Sequence, residues 1–100
     1  MRTKKLAPIH PGVSLKQDFL DPLNMSMNQL AIELRVPATR IADIVKGRRS
    51  ITAETALQLG RYFGTTAQFW MNLQANYEIE AARDLLEEQI ERQVKPRRAA

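Results

Sequence analysis

Apolar side chains recur along this chain at separations of three and four residues, the spacing that lines one face of an α-helix. Short two-residue alternations occur, but none is sustained enough to compete. The pattern predicts an all-α fold of five helices. His10, Pro11 and Gly12 open the first, with Val13, Leu15, Phe19 and Leu20 facing inward, and Pro22 and Asn24 bring it to a stop. Ser26 caps the second, and Gln29 three residues later completes a capping box. Pro37 begins the third, and Gly47 ends it where a C-terminal cap is expected. Thr52 caps the fourth, which runs to Gly64 with Ala56, Leu57, Leu59, Gly60 and Phe63 as its core residues. Thr65 or Thr66 caps a fifth, long helix carrying Phe69, Trp70, Leu73 and Tyr77, then Ala81, Leu85, Leu86 and Ile90. The sequence leaves open a bend between Gln74 and Tyr77. Neither an internal repeat nor a low-complexity linker interrupts the series.

Within this series, residues 27–46 have the spacing of a helix-turn-helix. Leu30 and Leu34 lie one turn apart on the second helix, and Ala31 beside them is small enough to let the next helix cross closely. Val36 plugs the corner. On the third helix Ile41, Ile44 and Val45 form one stripe. At about 100° per residue, Thr39, Asp43 and Lys46 fall on the opposite face, with Arg40 and Ala42 at its edges. A helix buried on one side and polar on the other suits a major groove about 12 Å wide. One position departs from expectation. The turn often asks for a left-handed residue, usually glycine, and here holds Arg35; keeping that conformation costs about 1–2 kcal/mol. Pro37 in turn restricts Val36, so a slightly recast turn is expected.

Charge sharpens this reading. The net charge is +4 with a pI of about 9.9, a weak pointer to polyanions by itself. Its distribution says more. Residues 35–61 hold six basic and two acidic side chains, whereas residues 78–91 hold six acidic and one basic. Arg2, Lys4 and Lys5 near one end, and Lys95, Arg97 and Arg98 near the other, suggest short basic tails over residues 1–8 and 95–100, flanking a domain over residues 9–94. One hundred residues suffice for one modest core. There is no cysteine, which excludes disulfides and thiolate metal sites. No apolar run spans a bilayer, and no secretory signal pattern precedes the domain, so a cytoplasmic location is expected.

Side-chain chemistry assigns roles on the third helix. Arg40 can donate two hydrogen bonds to the acceptor edge of guanine, and Thr39 can meet a base edge or a thymine methyl. Asp43 can accept from cytosine, orient Arg40, or simply pair with Arg40 or Lys46 on the helix surface. Gln29 and the first amides of the second helix are placed for a phosphate. Lys46, Arg48 and Arg49 cluster beyond the reading helix and suit the DNA backbone, where they supply salt-sensitive affinity. His10, the lone histidine, reads as a cap or packing residue. Trp70 and Tyr77 could stack on bases, but their place on an apolar stripe favours a core or a dimer interface, together with Phe69 and Leu73. No catalytic triad, phosphate loop or metal-ligand spacing is present. Neither an enzyme activity, a cofactor nor a metal is expected.

Residues 9–82 resemble the HigA family of antitoxins. The resemblance is carried by IHPG (9–12), FLDPL (19–23), LAIELRVPATRIADIVKGRRSIT (30–52), TAETALQLGRYFGTT (52–66) and, most diagnostically, FWMNLQANYEIE (69–80). It implies a five-helix, phage-repressor-like domain that forms homodimers mainly through C-terminal helices. It further implies binding to palindromic operator DNA in the protein's own promoter. Finally, it implies neutralisation of a HigB-type toxin, a small basic endoribonuclease that cleaves mRNA on the ribosome. Charge suggests where such a toxin would touch: Asp18 and Asp21 on the first helix, or Glu80, Asp84, Glu87, Glu88 and Glu91 on the last. The competing readings are an orphan helix-turn-helix regulator without a toxin, and an interaction protein that no longer reads DNA. The basic cluster at Lys46, Arg48 and Arg49 speaks against the last.

Overall fold

Helix follows helix through the computed structural model, which describes residues 7–98. The expected basic tail residues Arg2, Lys4 and Lys5 lie outside the described residues. In order come α1 (Pro11–Ser14), a π-helical continuation (Leu15–Leu20), α2 (Met27–Leu34), α3 (Ala38–Val45), α4 (Ala53–Phe63) and α5 (Ala67–Gln93). No strand occurs among the described residues, so the fold is all-α with five helices and a long last one.

The starts of these helices are set by local chemistry. His10 caps α1, its Nδ1 accepting from the Gly12 amide at 2.9 Å, with Pro11 in the first turn where its missing N–H costs nothing. At α2 the Ser26 hydroxyl accepts from the Gln29 amide and the Gln29 side chain accepts from the Ser26 amide, at 3.0 and 2.7 Å. Both halves of the expected capping box are present. Thr52 and Thr66 cap α4 and α5 through hydroxyls that accept from Thr55 and Phe69. Pro37 sits at the N-cap of α3, extended, one place before the first helical residue.

The helix ends are equally explicit. Arg35 holds the left-handed conformation at φ 58°, ψ 45°, so the turn keeps its usual geometry and is not recast. Gly47 and Gly64, both at φ 76°, follow α3 and α4 and provide the left-handed residue without a Cβ clash.

The core is where the apolar spacing placed it, with two exceptions. Leu15, Leu20, Leu30, Ala31, Ile41, Ile44, Ala56, Leu59 and Trp70 are buried, with Val36, Val45 and Phe63 packed against them. Val13 and Leu57, both expected inside, are exposed at 37% and 65%. Each sits beside residues that took the inward positions: Gly12 and Leu15 around Val13, Ala56 and Leu59 around Leu57. The π segment was not expected. Its i→i+5 bonds bring residues five apart onto one side, so Leu15 and Leu20 are both buried, and Lys16 Nζ meets both Asp21 carboxylate oxygens at 3.1 Å. Phe19, on the same segment, packs against Phe63 and Trp70 with ring centroids 4.9 and 4.8 Å away.

Helix α5 is unbroken over 27 residues, without the bend left open at Gln74–Tyr77. Its first half packs on α4 and the core through Trp70 and Gln74. Its second half leaves Ile79, Leu85, Leu86 and Ile90 exposed. Trp70 and Ile79 are nine residues apart, about 180° around a helix. Ile79, Leu86 and Ile90 therefore form a stripe on the side of α5 opposite Trp70. Beyond Gln93, residues 94–98 are exposed and not helical. Among the described residues, no helix is long and apolar enough to cross a membrane.

Candidate nucleic-acid interface

The stripe Ile41, Ile44 and Val45 seats α3 on the core, the first two fully buried. That burial turns the other side of α3 outward. Thr39 and Lys46 are exposed, Asp43 is half-buried, and Arg48 and Arg49 are exposed in the turn that follows. The turn is pinned by two backbone bonds, Gly47 N to Ile44 O at 3.0 Å and Arg48 N to Asp43 O at 2.8 Å. Four of the side chains expected to contact DNA, Thr39, Lys46, Arg48 and Arg49, are thus exposed along α3 and the turn after it. Gln29, also exposed, lies in the first turn of α2, its Oε1 engaged by the Ser26 amide and its side-chain NH2 left as the donor end.

Two pairings differ from expectation. Asp43 faces Arg48 at 4.0 Å, not Arg40 or Lys46. Residues 43 and 48 are brought together by the backbone bond that closes the turn, a geometry that helical spacing alone does not show. Arg40 reaches forward to α4, its Nη1 3.5 Å from Glu54 Oε1. Its side chain is only 25% exposed, and its Nε is buried without a hydrogen-bond partner. The sequence does not show Glu54 as a partner of Arg40 because it lies on another helix; its only local signal is its place in the first turn of α4, where helix N-termini favour carboxylates.

The surface is braced from behind by two polar residues. Gln74 of α5 is buried, accepts from the Ile51 amide at 2.8 Å and donates to Glu78 at 3.0 Å. This fixes the α3–α4 connection to α5. His10 lies against Gly47, contacts the Tyr77 ring edge-on at 4.9 Å, and shares a hydrogen bond with the Arg49 backbone. Burial holds its imidazole below the usual histidine range, and the Arg49 hydrogen bond pulls weakly the other way. Gly12 completes the brace. A Cβ there would run into the Ile44 carbonyl, so only glycine lets α1 approach the end of α3 this closely.

The residues expected at a dimer interface are divided. Trp70 is fully enclosed, donating its indole N–H to Thr65 Oγ1 at 2.7 Å, and has no surface left for a second copy. Leu73 packs against the core. Tyr77 is half-buried against His10, and Phe69 is 39% exposed. Of the two readings open for Trp70, the core is the one its surroundings match: Phe19 and Phe63, from distant segments, pack against its ring.

A sequence model of the helix-turn-helix family matches residues 15–70, covering α2, α3 and α4. Among solved structures, the Pseudomonas aeruginosa antitoxin HigA with the higBA promoter is 46% identical, covering 89% of this chain and 97% of that one, with a TM-score of 0.87. The chain belongs to the HigA family. An addiction module antidote protein of the HigA family from Coxiella burnetii is also 46% identical, with coverages of 92% and 100% and a TM-score of 0.88. Virulence-associated protein I of Dichelobacter nodosus is 45% identical over 78% of this chain and 72% of its own length. Membership of the HigA family places the chain among helix-turn-helix DNA-binding proteins and not among enzymes.

Proposed function

We propose that this HigA-family protein binds operator DNA as a homodimer, represses its own operon, and binds and neutralises a HigB-type mRNA-cleaving toxin in the cytoplasm. The observation that carries the DNA reading is the outward face of α3 with the Lys46, Arg48 and Arg49 cluster at its end. The P. aeruginosa relative, bound to a promoter, shares this fold at 46% identity. On this reading α3 enters the major groove. Thr39 and Arg40 meet base edges, with Asp43 as an acceptor at the side. Gln29 and the basic cluster hold phosphates. The dimer surface is the exposed seam of Ile79, Ala82, Leu86 and Ile90 on the second half of α5, with Phe69 and Tyr77 of the first half as the alternative surface. The antitoxin role is supported by the family and by the acidic second half of α5, against which a basic toxin would sit.

Arg40→Ala is expected to weaken operator binding by about 1–3 kcal/mol while leaving random DNA nearly untouched. Titration of both DNAs at fixed salt measures this, and equal loss on the two would remove the base-reading role. Co-expression with a neighbouring small basic toxin gene tests the antitoxin role, with rescue from growth arrest and a stable complex as the expected results. Failure of both leaves an orphan regulator. Charge reversal at Glu87, Glu88 and Glu91 tests the α5 surface, and unchanged toxin affinity would move the contact to Asp18 and the first helix.

A further inference from the structure

The Arg40–Glu54 pair joins the reading helix to the first turn of α4, and nothing in the assigned DNA contacts explains why a carboxylate stands there. We infer that Glu54 is a positioning residue for DNA recognition: it holds one edge of the Arg40 guanidinium so that the rest of the fork is presented to a base. This rests on the reading of Arg40 as a base contact.

Three observations support it. The guanidinium is held at one end only, by a single Nη1 contact at 3.5 Å, which leaves its other Nη group as a free edge. Its Nε is buried without a partner, so the side chain is lodged between α3 and α4 and is not swinging in solvent. The two exposures are unequal, 25% for Arg40 and 73% for Glu54, as expected if the carboxylate reaches in from the rim to fix a side chain seated at the edge of α3. Glu54 itself is anchored by position. It follows the Thr52 cap in the first turn of α4, where the unpaired amides favour a carboxylate.

An arginine carries five donors in a rigid plane, so fixing one edge fixes the direction of the others. A long side chain ordered before binding loses less freedom on contact. A carboxylate beside DNA also repels phosphates, which weakens binding to any sequence. The two effects have opposite signs, and this separates them.

The test compares the whole protein with Glu54→Ala, Glu54→Gln, Arg40→Gln and the double variant Arg40→Gln/Glu54→Ala, on operator and random duplexes at one salt concentration. Glu54→Ala is expected to weaken operator binding by about three- to fivefold, the upper part of the range of a single exposed ion pair, while random DNA binds unchanged or more tightly. Glu54→Gln keeps an acceptor oxygen and is expected to retain most operator affinity. In the Arg40→Gln background Glu54→Ala is expected to cost the operator nothing. Parallel tightening on both DNAs by Glu54→Ala would overturn the inference, leaving Glu54 a repelling charge. An undiminished Glu54→Ala loss without Arg40 would overturn it as well. If Arg40→Gln alone weakens both DNAs equally, the base-reading role itself fails, a separate result. Circular dichroism melts on each variant exclude loss of folding as the cause.

Discussion

Arg35 shows how much a single backbone angle can matter. It holds a left-handed conformation that an L side chain adopts at a cost of about 1–2 kcal/mol. Glycine would remove that cost but would add freedom to the unfolded chain, worth about 0.5–1 kcal/mol in the other direction. Arg35→Gly is therefore expected to stabilise the fold by about 0.5–1 kcal/mol, read as a higher urea midpoint at constant slope. His10 makes a pH prediction. Its neutral imidazole accepts from Gly12, and burial lowers its affinity for a proton below that of the unfolded residue, near 6.5. The unfolded chain thus binds more protons between the lowered folded value and 6.5. The stability His10 contributes is complete above that upper value and is lost as pH falls through the lower one. Urea midpoints from pH 8 to 5 should show this loss in the natural protein and a smaller one in His10→Asn, which can still cap. Identical profiles would remove His10 as the cause. At this scale the sequence was most legible where the chemistry is local. Ser26 with Gln29, Thr52 and Thr66 each act within three residues. Gln74 was illegible because a polar residue on an apolar stripe reads as an interruption until its partner, Ile51, is known to lie beside it.

Among the elements, α5 differs most from its reading. Its apolar residues were legible as helical but not as two separate stripes, because half a helical circuit between Trp70 and Ile79 merges them when the helix is read as one unit. The π segment was hidden for a related reason: five-residue spacing at Leu15 and Leu20 looks like imperfect four-residue spacing. Separation of the stripes has a measurable result. The seam over Ile79, Leu86 and Ile90 lies away from the core, so a charge placed there should spare the fold and break the proposed dimer. Leu86→Asp is expected to sediment as a monomer, to melt within a few degrees of the natural protein, and to lose operator affinity. A dimer that survives this change would place the interface elsewhere, with Phe69 and Tyr77 the next surface to test.

At the scale of the whole molecule, the five-helix architecture and the polar face of α3 were legible because they follow from periodicity, caps and charge. The links between helices were not. Arg40 to Glu54, Asp43 to Arg48, and His10 to Gly47 and Tyr77 join segments whose proximity depends on the finished fold. They decide which surface side chains are held in place, so the polar face of α3 was legible as a set of side chains but not as an arrangement.

The unbroken course of α5 has one more consequence. Gln74 fastens its first half to the connection that follows the reading helix, and the proposed seam lies further along the same rigid rod. In a dimer joined there, α5 acts as a ruler: its length and rotation set how far apart two reading helices stand and how they face. Each residue of helix advances about 1.5 Å and turns about 100°. Operator half-sites must then match one spacing, about one turn of DNA or a multiple of it. The selectivity of the dimer for DNA would lie as much in the stiffness of a helix that never touches a base as in the side chains that do.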